Sequence, residues 1–362
     1  MCLVLAALLC REYNLTVYID ANFEMAGVTV EPISEIVHLT ADDILIFAVT
    51  NFDERIDNCK ARLIAWAHNL RDNKLDYLSN RVDRLIVLSR AQYDLLRWHK
   101  ISDKMSIIPL PFNVKAFEYS PSFDDYIVYM GALVEAKGFH IYASAVDKIL
   151  SGRTTKMFVI GGTQTYGQSG AGKLGVTTQE YEDRFYQWTD KYVKCGQIEF
   201  LGNLGTNRFE IMSKAKLGLT NPTGSSETFC ISNFEFMALG VPVLGGYHKG
   251  MTETLFPDAK LYFRNIGEIG AKVTRLLDDP ELLKRLRPTV RAYVERKAKL
   301  GAVTEGWRQI IAGDRPRKPL FVSRPYFIDS KLPIYFLSKC GVRTTFEQVD
   351  KVVRSIARLS IQ

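Results

Sequence analysis

NPTGSSETFCISNFEFMALGVPVLGG, residues 221–246, passes from a polar loop through helical spacing into an apolar strand. Ser225, Ser226 and Thr228 can accept hydrogen bonds from free backbone N–H groups, and apolar residues recur at helical intervals over 229–239, which predicts a helix starting near Thr228. Gly240 stands where a left-handed C-cap belongs, so the helix is expected to end at Leu239 or Gly240, with a short buried strand beginning over 241–244.

Glu227 lies in the loop before this helix and Glu235 about two turns inside it, so two carboxylates border a helix N-terminus without touching. Exposed N–H groups and the positive end of the helix dipole favour a phosphate, and a carboxylate accepts well from sugar or ribose hydroxyls. Both halves of a nucleotide sugar are served. The plain structural alternative is that Glu227 supports the helix start and Glu235 is solvated or ion-paired.

Outside this stretch, short apolar runs at 15–19, 44–49, 63–67, 85–89, 126–131, 156–162, 198–202 and 217–220 alternate with polar or helical segments. That is the parallel α/β pattern. Residues 2–13 read as a first helix, so the strand that normally opens such a sheet is expected to be missing. Two prolines within 107–117 and another after it place a hinge there. The domains are therefore predicted as 1–118, 119–312 and a basic, aromatic segment 313–362 that packs back over a cleft or makes a peripheral membrane contact.

With 362 residues, 47% of them hydrophobic, the chain can bury two cores. Six cysteines without CxxC spacing read as reduced thiols, and no zinc cluster is visible. MCLVLAALLC is too short to span a bilayer and lacks a signal peptide's basic start, so it reads as a domain helix, and the protein, cytoplasmic by its reduced thiols, is expected to be peripheral at most on the inner face of the membrane. Of the net charge of +7, residues 1–120 contribute −3 and the remainder +10. The basic residues form no dense patch with interleaved aromatics, so nucleic acid is not an expected partner.

The Glu-x7-Glu spacing inside ETFCISNFEFMALGVPV resembles the donor-site signature of family 4 glycosyltransferases of the GT-B fold, the bacterial group 1 type. The resemblance covers about residues 68–277. It implies an α/β fold of two facing Rossmann-like domains with a cleft between them. It also implies a metal-independent, retaining hexosyltransferase without cofactor, whose donor substrate is a nucleotide-diphosphate sugar. The acceptor would be a glycan or lipid-linked molecule in surface polysaccharide or lipopolysaccharide synthesis.

The resemblance puts Glu227 near the transferred sugar, the amides of Thr228, Phe229, Cys230 and Ile231 against sugar and phosphate, and Glu235 on the ribose. His68 ends the apolar run LIAWAHN, where ligands of open α/β sheets gather, and a lone histidine there is otherwise structural; the resemblance assigns it to the donor sugar. Gly131 follows a strand and Lys137 precedes a helix, a pair suited to a diphosphate, although a turn glycine beside a surface lysine explains them equally well. Ser89 reads as a structural N-cap.

Three departures from the family's pattern support a second reading. Ala132 replaces the usual arginine, Cys230 replaces a glycine, and the first strand is missing. A catalytically weak or inactive relative that binds a nucleotide sugar or scaffolds a partner would carry all three. GQSGAGKL at 167–174 fits a phosphate loop except that Leu174 stands where a Mg²⁺-holding Ser or Thr belongs, so it reads as a decoy.

Overall fold

Strands buried on both faces must be apolar nearly throughout, and the runs found in the sequence meet that condition. The structure, a computed structural model, describes residues 2–20, 24, 26–69, 74–162, 172–175, 177–224 and 227–314. Ser225, Ser226, the first five residues of the 167–174 motif and the segment 315–362 lie outside them. The chain forms two compact units.

The first unit takes Met1–Pro111 and, from far along the chain, the helix Leu300–Ile311. Its opening helix α1 spans Cys2–Leu9, shorter than the predicted 2–13. Strands β1 (Thr16–Tyr18) and β2 (Thr29–Glu31) pair in parallel. A second parallel sheet is built from β3 (Ile44–Ala48), β4 (Arg62–Ala67), β5 (Arg84–Val87) and β6 (Met105–Ile107), in that order. Helices α2 (Lys74–Leu78) and α3 (Arg90–Leu96) accompany it. The Ser89 hydroxyl accepts from Gln92 N at 3.1 Å, the predicted cap.

The second unit spans Phe112–Lys299. Its strands are β7 (Tyr126–Met130), β8 (Lys156–Ile160), β9 (Ile198–Gly202), β10 (Leu217–Leu219), β11 (Val243–Gly246) and β12 (Tyr262–Phe263). They pair in parallel in the order β12-β11-β10-β7-β8-β9. This is the doubly wound order of a dinucleotide-binding sheet, and its switch point falls between β7 and β10, where the chain leaves in opposite directions. Helices α4 (Phe139–Ser144), α5 (Val146–Leu150), α6 (Gln179–Lys194), α7 (Arg208–Ser213), α8 (Ile231–Ala238), α9 (Ile269–Leu277) and α10 (Pro280–Lys297) complete it.

The units divide at 111/112 and 299/300, whereas the sequence reading divides the chain at 118/119 and 312/313. Packing explains the difference. Phe112 stacks on Phe117 at 5.0 Å and meets Phe234 edge-on at 5.6 Å, so the whole Phe112–Phe117 stretch joins the second core. Trp307 packs edge-on against Trp66 at 5.1 Å, Arg62 Nη2 donates to Ile310 O at 3.0 Å, and Arg308 pairs with Glu12, which ties helix Leu300–Ile311 to the first unit. Among the described residues no helix is long and apolar enough to cross a membrane.

Candidate functional site

Two loops border the switch point on the carboxyl side of the sheet, one after β7 (131–138) and one after β10 (220–230), and they hold each other in place. Tyr129, buried at the end of β7, donates its hydroxyl to Lys137 O at 2.8 Å. A Cβ at Gly131 would lie 2.9 Å from that hydroxyl, so the glycine first of all clears the path of Tyr129. Gly138 adopts φ +72°, and a Cβ there would strike Pro222 and Thr223 at 2.8 Å. A glycine is needed at that close approach of the two loops.

Lys137 Nζ reaches Glu227 Oε1 at 2.5 Å, and the side chains are 19% and 12% exposed. Asn221 locks this pair. Its Nδ2 donates to Glu227 Oε1 at 3.2 Å and to Ala136 O at 3.1 Å, while its Oδ1 accepts from Thr223 N at 2.9 Å and Gly224 N at 3.1 Å. An Asn before Pro in a polar loop carries the usual turn signal, and nothing in its spacing reveals this clamp.

Helix α8 begins at Ile231, not near Thr228 as the sequence pattern predicts. Thr228 and Phe229 are withheld from it because the chain there is anchored elsewhere. Gly250 N donates to Glu227 O at 3.3 Å, and Phe229 packs edge-on against Phe234 at 5.3 Å. Cys230 is the N-cap residue without a side-chain cap bond, so the first-turn N–H groups are not consumed by one. The helix stops at Ala238, and Gly240 takes φ +86°, as its position suggested.

With the start at Ile231, Glu235 is the fifth residue of α8, one turn inside and not two. Its Oε1 accepts from Arg208 Nη2 at 2.7 Å, and the carboxylate is 9% exposed. The two glutamates therefore engage different cations. Beneath the helix, Thr220 Oγ1 bonds Asn233 Oδ1 at 2.8 Å and Asn233 Nδ2 donates to Thr254 Oγ1 at 2.9 Å, all three residues fully buried. This chain of bonds fixes the first turn of α8 to the end of β10. Arg208, Asn221 and Tyr129 were missed by sequence reasoning.

Cys230 is buried, and that burial pushes its thiol well up from the ordinary value, with the charge of Glu227 adding to it. It is a small apolar side chain here, not a nucleophile. Cys195 is exposed. Under native conditions iodoacetamide is expected to label Cys195 at least tenfold faster than Cys230, with Cys230 reacting only on unfolding. Peptide mapping after timed quenching measures this, and fast native labelling at Cys230 would contradict the geometry.

His68 belongs to the first unit. Gln92, fully buried, donates to Ala67 O at 3.0 Å and Asn69 O at 2.8 Å, and so pins the backbone on both sides of it. Its ring lies 4.7 Å from that of Trp66, and burial lowers its pKa, which keeps the imidazole neutral at pH 7. Among the described residues no group of His, Cys, Asp and Glu could hold a metal ion.

Residues 115–293 match the family described as glycosyl transferases group 1, a span that includes every site residue of the second unit. No curated protein matches the chain. Solved structures similar to it include a point mutant of S. aureus TarM in complex with fondaparinux, alpha-GlcNAc-glycerol and UDP, at a TM-score of 0.62 and 15% identity, over 75% of this chain and 55% of that one. The chain thus spans about half the length of TarM. HepE of Anabaena in complex with UDP-glucose aligns at a TM-score of 0.68 and 14% identity, over 86% of this chain and 95% of its own. Sucrose-phosphate synthase of Thermosynechococcus elongatus aligns at 0.58 and 18%, over 71% and 70%. At these identities the likeness establishes the fold, GT-B, and no more.

Proposed function

We propose, because residues 115–293 match the family of group 1 glycosyl transferases, that this chain transfers a hexose from a nucleotide-diphosphate sugar to a glycan or lipid-linked acceptor, with retention at the anomeric carbon. The observation that carries the reading is the polar cluster at the switch point. Lys137 and Glu227 are paired there on Asn221, next to a helix N-terminus without a side-chain cap and a buried second carboxylate one turn in. A diphosphate with a ribose on one side and a sugar on the other has this distribution of charge and hydroxyls.

In this reading Lys137 and the amides from Thr228 to Ile231 take the negative charge that develops on the departing diphosphate. As the anomeric C–O bond breaks, its electron pair passes to the phosphate oxygen while the acceptor oxygen bonds the same carbon from the same face. The acceptor proton leaves with the diphosphate. Glu227 orients the sugar hydroxyls, Glu235 holds the ribose, and the resemblance assigns His68 to the donor sugar as well. The positive charge comes from protein groups, so no metal or cofactor is invoked. Surface polysaccharide or lipopolysaccharide synthesis at the inner face of the membrane is the setting the resemblance suggests, and UDP in the TarM and HepE structures makes a uridine donor the first to test.

Calorimetric titration with UDP, GDP and ADP in the presence of EDTA tests the site. One nucleotide is expected to bind, and Glu235→Ala to weaken it by about 1.5–3 kcal/mol, the worth of a hydrogen bond to a charged group. If none binds, the proposal fails. The second reading, binding without transfer, is favoured by Ala132, which removes a bidentate cation from the loop after β7. A transfer assay with the sugars of the bound nucleotide separates the two.

A further inference from the structure

We propose that Arg208 is a positioning residue that sets Glu235 for the ribose, so that preference for a ribonucleotide depends on an arginine outside the Glu-x7-Glu signature. The inference rests on the reading of Glu235 as the ribose ligand. Arg208 opens α7 and is itself held on two sides: one guanidinium nitrogen donates to Gly205 O, and the group lies 4.2 Å from the centre of the Phe209 ring. Its other terminal nitrogen, Nη2, donates to Glu235 Oε1 at 2.7 Å.

That contact leaves Glu235 Oε2 with no partner among the described residues, and Oε2 is absent from the fully buried orphan atoms. One oxygen is anchored and the other is presented. A free glutamate has three side-chain torsions to order when a hydroxyl binds, and a glutamate already clamped in one rotamer has none left to lose. A planar guanidinium fixes direction as well as charge, which an ammonium does not. The pair is also unlike the surface ion pairs of this chain. Its side chains are 22% and 9% exposed, against 64% and 68% for Lys191 and Asp147.

The test compares UDP with 2′,3′-dideoxy-UDP, which keeps base and diphosphate and lacks both ribose hydroxyls. For the unaltered protein the ribonucleotide is expected to bind about 10–100-fold more tightly. Arg208→Met should weaken UDP about tenfold or more while leaving the dideoxy analogue within about threefold, so that the ratio collapses. Arg208→Lys should give an intermediate ratio, and it carries the same comparison if the methionine variant does not fold. An unchanged ratio in these variants, or equal weakening of both nucleotides, overturns the proposal. Glu235→Gln separates this from the parent reading. If that variant keeps the full ratio, Glu235 is not the ribose ligand; if it loses the ratio and the Arg208 variants do not, only the role of Arg208 is wrong.

Discussion

Lys137→Met is expected to lower the rate of sugar transfer by about 10²–10³-fold, the usual cost of removing one oriented donor from a developing anion. The effect should be large because Ala132 leaves the loop after β7 without the second cation that the resemblance leads one to expect there. Lys137 is also preorganised. Tyr129 holds its carbonyl, Gly138 seats the turn on Pro222 and Thr223, and Glu227 and Asn221 fix the head group. Since Glu227 already neutralises it before substrate arrives, part of its charge must be released to the diphosphate, and Lys137→Arg, with a different reach, should recover only part of the rate. Steady-state kinetics with a saturating donor measures this through kcat, while the KM for donor should change less. A kcat within about threefold of the unaltered enzyme would remove Lys137 from the chemistry.

Arg287→Leu is expected to destabilise the second unit by about 3–5 kcal/mol. The side chain is fully buried and donates to Ser120 O at 2.8 Å, Ala215 O at 3.0 Å and Ser213 O at 2.6 Å. Burial lowers its pKa to about 10, so it remains a cation at neutral pH, and it faces carbonyls in place of a carboxylate. Leucine fills much of the space but leaves three acceptors unpaired, one at the end of α7 and one in the turn joining α7 to β10. In a unit of this size each kcal/mol moves Tm by about 2–4 °C, so a drop of roughly 6–20 °C is expected. Differential scanning calorimetry, with the transitions of the two units resolved, measures it. Arg287→Lys, able to reach fewer of the carbonyls, should fall between. A shift below about 2 °C would show that the three bonds contribute little.

These two residues mark different degrees of legibility. Lys137 was visible from its place after a strand glycine and before a helix, as were Glu227, Glu235, the cap at Ser89, the stop at Gly240 and the end of β4 before His68. All are local signals, because a cap, a strand period or a helix period is written within a few neighbouring residues. The alternation of apolar runs likewise carried the fold class, since only a parallel sheet covered on both faces asks for such runs.

Partnership was not legible. Lys137 meets Glu227 across 90 positions, Arg208 meets Glu235 across 27, and Arg287 finds Ser120 across 167. Spacing carries no information about contacts that arise only when strands far apart in the chain become neighbours in a sheet. The late start of α8 has the same origin: the local pattern favours a helix from Thr228, but the bond from Gly250 N to Glu227 O anchors the preceding backbone outside it. The return of helix Leu300–Ile311 to the first unit is decided by Trp66 and Glu12, some three hundred residues upstream of the helix in the case of Glu12. The sequence alone therefore determined the fold class, most of the strands and the charged groups available to the site. Tertiary structure alone decided which of those groups are paired, which oxygen of Glu235 is left open, and which unit the helix Leu300–Ile311 joins, because those outcomes depend on burial and long-range geometry.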